Sequence, residues 1–176
     1  MNEVAVLDIG PDPIDTGLLV LRILVGVGLS LHGFQKLFGW FGGGGLDGTA
    51  GWFRSLGFGG GRLAAVAAGV SEVGGGLGLA VGLLTPVAAS AVIGTMTVAA
   101  LVNNADNGFW SVRKGWELNG YLIAVAVALA IAGPGGYSLD AALGLELSGL
   151  VPGLVAFGVG FGAGWLRWVT RATEAT

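Results

Sequence analysis

Residues 63–102 read LAAVAAGVSEVGGGLGLAVGLLTPVAASAVIGTMTVAALV, and this stretch is the strongest indication of the fold. Two apolar runs, 63–84 and 86–102, meet at Thr85 and Pro86, where a tight hairpin is predicted because proline can begin a helix but interrupts its interior. A hydrocarbon core about 30 Å thick requires about 20 apolar residues in a helix that rises 1.5 Å per residue. The two runs are therefore predicted to be a pair of transmembrane helices.

Three further apolar segments, 17–38, 116–132 and 152–169, extend the prediction to five spans. Helices are expected because unpaired backbone amides are costly in lipid, and because no ten-residue alternating pattern indicates a barrel. The fold class is thus an all-α membrane protein. The segment 116–132 is short. For 152–169 the alternative is a helix lying at the membrane surface, which Trp165 and Arg167 would also suit.

Composition supports a membrane protein and excludes several kinds of chemistry. Hydrophobic residues make up 53% of the chain and charged residues 11%, against about 25% charged in soluble domains. The absence of cysteine excludes disulfide exchange and thiolate ligands, and a single histidine excludes a bis-histidine haem. The eight Lys and Arg form no basic patch, so nucleic acid is not an expected partner.

The distribution of basic residues predicts the orientation. Residues 1–15 contain four carboxylates and no Lys or Arg, so this acidic segment is expected outside the cytoplasm, and the first apolar segment is expected to be retained rather than cleaved as a signal peptide. With five spans, seven basic residues fall on the cytoplasmic side of a plasma membrane: Lys36, Arg54, Arg62, Arg113, Lys114, Arg167 and Arg171. The C-terminus is then cytoplasmic.

The chain is predicted to form one membrane domain, with a four-helix part at 16–142 and an extension at 143–176 that carries the fifth helix. The stretch 42–61 is expected to lie along the inner surface. Glycines spaced four apart would let helices approach closely, within one bundle or between two copies in a homo-oligomer. These glycines are Gly74, Gly78 and Gly82 on the second helix and Gly158, Gly160, Gly162 and Gly164 on the fifth.

Arg22 and Glu72 are charged residues inside predicted spans. A charge at such a depth costs about 2.5–3.5 kcal/mol on insertion scales, so each residue should have a partner. Counting along the two helices places them at similar depths, which predicts an Arg22–Glu72 ion pair. This pair could be a structural clasp, or Glu72 could accept a proton or anchor a bound quinone or substrate.

Two other groups of polar residues are candidates for a site. His32 and Lys36 lie four residues apart near the inner end of the first helix. A single histidine at such a position is expected to make a hydrogen bond at the membrane interface rather than to bind a metal. The polar stretch 103–117, which ends at Glu117, is expected to be a solvated loop with aromatic residues at the headgroups, or else a surface for a cytoplasmic partner.

Several motifs, taken in order, resemble the DoxX family of membrane proteins. They are Leu21-Arg22, Gly26, His32-Gly33 and Lys36-Leu37, then Glu72, Gly75-Gly76, Leu79 and 82–86, then 107–110, Glu117-Leu118, 133–135 and 137–140. Many family members have a histidine shortly before the Asn-Gly-Phe motif, where this chain has Asn104.

This resemblance implies a four-helix membrane core and a link to membrane redox complexes, among them an archaeal thiosulfate:quinone oxidoreductase and a mycobacterial superoxide dismutase assembly. It makes Arg22, His32, Lys36, Glu72 and Glu117 the candidate site. The leading hypothesis is a membrane anchor for redox-enzyme partners with a quinone-facing site and no cofactor or metal of its own. The alternatives are an oxidoreductase that passes electrons from a small sulfur donor to quinone, and a carrier of small solutes or lipids.

Overall fold

The computed structural model describes residues 12–172, and these residues form helices without β-strands. Residues 1–11, which hold most of the predicted acidic segment, and residues 173–176 lie outside the described part. The helices are α1 (Pro13–Phe38), α2 (Gly45–Ser55), α3 (Arg62–Val81), α4 (Thr85–Ala99), α5 (Glu117–Ala132), α6 (Leu139–Ala142) and α7 (Leu150–Val169).

Within the described residues, four helical stretches are long and apolar enough to cross a membrane. They are α1, α3, α7 and Thr85–Val102, the last being α4 with its continuation into a π-helical turn. The apolar helix α5 corresponds to the predicted fourth span. It has 16 residues and is about 24 Å long at 1.5 Å per residue, so it is shorter than the other four, as the sequence predicted. The predicted all-α membrane fold is confirmed.

Helix α1 begins earlier than its apolar pattern suggests. The Asp12 side chain accepts hydrogen bonds from the backbone amides of Ile14 and Asp15, at 2.7 and 3.0 Å, and Pro13 occupies the first turn, where no amide bond is lost. Asp12 is therefore the N-cap of this helix. With 26 residues, α1 is about 39 Å long and exceeds a 30 Å hydrocarbon core.

Helices α1 and α3 pack antiparallel through glycines. A Cβ at Gly26 would lie 2.7 Å from the Ala80 nitrogen, and a Cβ at Gly33 would lie 2.8 Å from the Gly69 carbonyl oxygen. Neither position could hold a side chain unless the helices moved apart. Gly33, near the end of α1, thus lies beside the middle of α3, which fixes the register of the two helices.

The apolar core joins α1, α3, α4, α5 and α7. It includes Leu29, Leu79, Val92, Ile93 and Leu129, each at most 3% exposed. Small residues fill the spaces between them, so the helices pack at short distances.

Helix α7 runs the full height of the bundle. Near its start Gly153 packs against Ile131 at the end of α5, and further along Gly160 and Gly164 pack against α4. Just beyond its end, the Ala172 amide donates to the Gly57 carbonyl, at 2.8 Å. A helix lying across one membrane surface would touch one end of the bundle, so these contacts favour the predicted fifth crossing.

Candidate functional site

Lys36 and Glu72 form a partly buried ion pair between α1 and α3. The Lys36 Nζ lies 2.6 Å from the Glu72 Oε2, and the two side chains are 23% and 7% exposed. Lys36 lies two residues before the end of α1, whereas Glu72 lies ten residues into α3. The flexible lysine side chain therefore extends along the helix to reach the carboxylate.

This ion pair borders a cavity of about 550 Å³. The remaining walls are mostly apolar and come from α2, α3, α4 and α7, for example Phe53, Ala67, Ala91 and Val159. Pockets of about 300–1,000 Å³ with apolar walls and a few polar groups are typical of small-molecule sites. The arrangement could therefore hold an apolar ligand whose polar head meets one cation and one carboxylate.

Contacts between α7 and the loop that joins α2 to α3 border the cavity at the end where α1 and α7 finish. The Arg167 guanidinium lies 4.8 Å from the centre of the buried Phe58 ring, and its Nη2 donates to the Gly59 carbonyl at 2.7 Å. This end of the bundle also holds Lys36 and the start of α3 at Arg62, and we call it the basic end.

The predicted Arg22–Glu72 ion pair was wrong. The Arg22 guanidinium is fully buried at the opposite end of the bundle, where it donates to the carbonyls of Ala80 at 3.1 Å and Tyr137 at 2.6 Å, with a longer contact of 3.5 Å to Leu79. Arg22 thus satisfies backbone acceptors at the end of α3 and in the turn after α5.

The length of α1 explains this error. Counting depth from the start of each apolar run assumed that α1 and α3 cross the same layer side by side, but the first turns of α1 extend past the end of α3 at Val81. In the observed register Arg22 lies beside Ala80, about eight residues from Glu72 and hence about 12 Å along α3. Glu72 therefore faces the last turns of α1, which carry Lys36.

Asp140 is a buried carboxylate that the sequence analysis did not identify as a site residue. It accepts hydrogen bonds from the backbone amides of Leu84 and Thr85, at 2.7 and 3.0 Å, and from the Thr85 hydroxyl at 2.7 Å. An acidic group at the start of α4 caps its free amides and favours its dipole. The predicted hairpin at Thr85 is therefore fixed by a residue 55 positions away.

The other two candidates lie apart from the cavity. His32 is exposed, with its Nδ1 3.0 Å from the Gln35 Oε1, and Glu117 accepts a hydrogen bond from the Ser111 amide at 2.8 Å. The side chain of Asn104 lies outside the described part. In residues 12–172 no three His, Cys, Asp or Glu side chains are close enough to hold a metal ion.

The predicted glycine ridges divide between buried and open faces. Gly160 and Gly164 face α4, whereas a Cβ at Gly158 or Gly162 would meet no atom within 4 Å. Gly74 is likewise open. The buried glycines of α7 thus serve the packing of a single chain.

These apolar helices and their buried charges define a multi-pass helical membrane protein. More particularly, the chain belongs to the DoxX family, whose model matches residues 17–105. That family places it among membrane proteins that are generally linked to redox or stress chemistry. No curated protein and no solved structure matches the chain.

Proposed function

We propose that the chain is a membrane subunit that anchors a redox or oxidative-stress complex, and that its cavity holds a quinone. The observation that carries this proposal is the Lys36–Glu72 pair, with its Nζ–Oε2 distance of 2.6 Å, at the edge of an apolar cavity of about 550 Å³. Membership of the DoxX family supports the redox context.

The two charged groups suit the head of a quinone. The Lys36 ammonium has three donors and makes one hydrogen bond to Glu72, so it can also donate to a carbonyl oxygen. The Glu72 carboxylate can accept the proton that the hydroxyl of a bound quinol gives up on oxidation. A bound quinone would supply two-electron, two-proton chemistry, and a redox protein partner would exchange the electrons.

The proposed setting is a plasma membrane with the basic end of the bundle in the cytoplasm. Lys36, Arg62 and Arg167 belong to this end, as do the loop residues Arg113 and Lys114, because α4 runs toward it. Basic residues accumulate on the cytoplasmic side because they resist translocation. The N-terminus would then lie outside and the C-terminus inside.

The test is purification of the full chain from native membranes in a mild detergent, with bound quinone and bound proteins measured by mass spectrometry. Wild type should retain about one quinone per chain, and Glu72→Gln should retain at least about tenfold less, since a loss of 1.4 kcal/mol in binding lowers affinity tenfold. Glu117→Gln makes the same chemical change away from the cavity and is the matched control.

Four results would contradict parts of this proposal. Equal quinone in wild type and in Glu72→Gln would remove the carboxylate from the site. Protein partners without quinone would leave an anchor with no quinone function. Quinone reduction by the isolated chain with a small sulfur donor would favour an oxidoreductase, and solute movement in reconstituted vesicles would favour a carrier.

A further inference from the structure

The cavity extends as a groove along one face of α4. Its floor runs from Val87 to Val102 of the chain, and its two sides are formed by α3 and α7. The fifteen steps from Val87 to Val102, at about 1.5 Å each, make the floor about 22 Å long, which is most of the thickness of a hydrocarbon core. We call this feature the lateral groove.

The lateral groove opens sideways, toward the lipid. Val87 on its floor is 65% exposed and Val159 on its α7 side is 59% exposed. Ala67 on α3 and Ala163 on α7 are exposed as well. A ligand could therefore enter from the bilayer between α3 and α7, without passing through water.

We infer that the lateral groove holds the hydrocarbon tail of a long-chain quinone whose head lies against Lys36 and Glu72. This inference rests on the proposed quinone site. The tail groove and the head site are one continuous cavity, since the same space is bordered by Glu72, Thr95 and Val87. Its volume of about 550 Å³ suits a single ligand with one chain better than a phospholipid with two.

Small residues keep the groove open. Ala67 and Ala68 on α3, Ala91 on α4 and Ala163 on α7 border it, where longer apolar side chains would fill it. In lipid, a tail gains little from hydrophobic burial, because the surrounding chains are equally apolar. Close packing against these walls is what would distinguish a tail in the groove from one in the bilayer.

Helix α7 supplies one side of the groove, although it lies outside residues 17–105, the part that the family model matches. It can do so because Gly160 and Gly164 bring its backbone against α4: a Cβ at Gly164 would lie 2.8 Å from the Thr97 Cβ. The C-terminal extension therefore turns an open face of the bundle into a groove. The specific role of α7 is to form one side of this groove.

The experiment compares quinones that share a head and differ in tail length. Full-length protein in mild detergent, stripped of bound quinone, is titrated with a short-chain quinone and with a long-chain isoprenoid quinone. The variant is Ala163→Phe, which places a ring in the groove from an exposed position on α7. The control is Leu154→Phe, which adds a ring on the same helix at an exposed position on the face opposite Ala163.

We expect Ala163→Phe to lower the affinity for the long-chain quinone about tenfold, a change of 1.4 kcal/mol, and to change the short-chain affinity less than about twofold. Leu154→Phe should leave both affinities unchanged. Should Ala163→Phe fail to fold, as judged by circular dichroism and gel filtration, Ala67→Phe fills the groove from the α3 side and replaces it.

Failure of this inference is distinguishable from failure of the proposed function. If both groove-filling variants bind both quinones like wild type, the tail lies elsewhere and the inference is overturned, while the head site stands. If Ala163→Phe weakens both quinones equally, separate head and tail regions are refuted. If wild type binds neither quinone, the proposed function fails and the inference fails with it.

Discussion

Removing the charge of Lys36 alone should destabilise the protein more than neutralising both members of the ion pair. Lys36→Met keeps a flexible side chain but leaves the Glu72 carboxylate, 7% exposed, without the cation that lies 2.6 Å away. Deleting one partner of a buried ion pair costs about 3–5 kcal/mol, because an uncompensated charge stays behind. We expect the free energy of unfolding to fall by about 3 kcal/mol, the lower end of that range, since Lys36 is partly exposed.

The reciprocal change should be milder. In Glu72→Gln the lysine keeps its charge, but its side chain is 23% exposed and can turn toward water at the basic end. A loss of about 1.5 kcal/mol is expected, the lower end of the range for a hydrogen bond to a charged group. The double variant buries no charge, so its stability should lie within about 1 kcal/mol of Glu72→Gln alone.

The assay is reversible unfolding of the four proteins in mixed micelles of a mild detergent and dodecyl sulfate, followed by tryptophan fluorescence. The chain has six tryptophans, and none is changed in these variants. If the loss of unfolding free energy in the double variant equals the sum of the two single losses within about 0.5 kcal/mol, Lys36 and Glu72 act independently. That result would refute the ion pair and, with it, the polar centre of the cavity.

Three further predictions concern the scaffold. Gly26→Val should lower the free energy of unfolding by about 1–3 kcal/mol, because its Cβ would meet the α3 backbone. The control Gly28→Val lies on an open face of α1 and should have no effect. Equal unfolding curves for the two variants in mixed micelles would contradict the α1–α3 contact. Asp140→Ala should lower it by about 2–4 kcal/mol, since two backbone amides and one hydroxyl lose a charged acceptor; wild-type stability in the same assay would show that this carboxylate does not hold the start of α4. The chain has no cysteine, so single introduced cysteines can report the orientation. A membrane-impermeant thiol reagent should label Leu143→Cys in intact cells, and should label Val112→Cys only after the membrane is opened. The reverse pattern would overturn the proposed orientation.

Apolar runs were sufficient to predict most of the helices. The runs 63–84 and 86–102 correspond to α3 and to α4 with its continuation, and the hairpin between them falls at Thr85 as predicted. The end of α3 was less predictable. The helix stops at Val81 because Gly82 adopts a left-handed conformation, with φ of 66°, and apolar pattern alone does not report that conformation.

The partners of the buried charges could be predicted only in part. A partner could be predicted for Arg22 and for Glu72, because a lone charge in lipid is costly. The register of α1 against α3 could not, since it is set by the close approach at Gly26 and Gly33. The sequence also gives no sign that backbone carbonyls, rather than a carboxylate, accept hydrogen bonds from the guanidinium.

The cavity itself could not be predicted from the sequence. Its walls combine α2, α3, α4 and α7, and many of the residues that border it are alanines and valines, which are common in any transmembrane helix. Lys36 and Glu72 were both candidate residues, but their pairing depends on a long helix α1 and on the reach of a lysine side chain. The polar groups of the site were thus predicted, and their arrangement was not.

The proposed head site can be located by photolabelling the full-length protein with a quinone that carries an azido group on its head, followed by peptide mapping. Label should be concentrated at the last turns of α1 around Lys36 and at the middle of α3 around Glu72. Excess unlabelled quinone should abolish this labelling, and Glu72→Gln should weaken it strongly. If label spreads over the lipid-facing surface, or lies near Arg22 at the opposite end and is unaffected by Glu72→Gln, the quinone head does not lie at the Lys36–Glu72 pair.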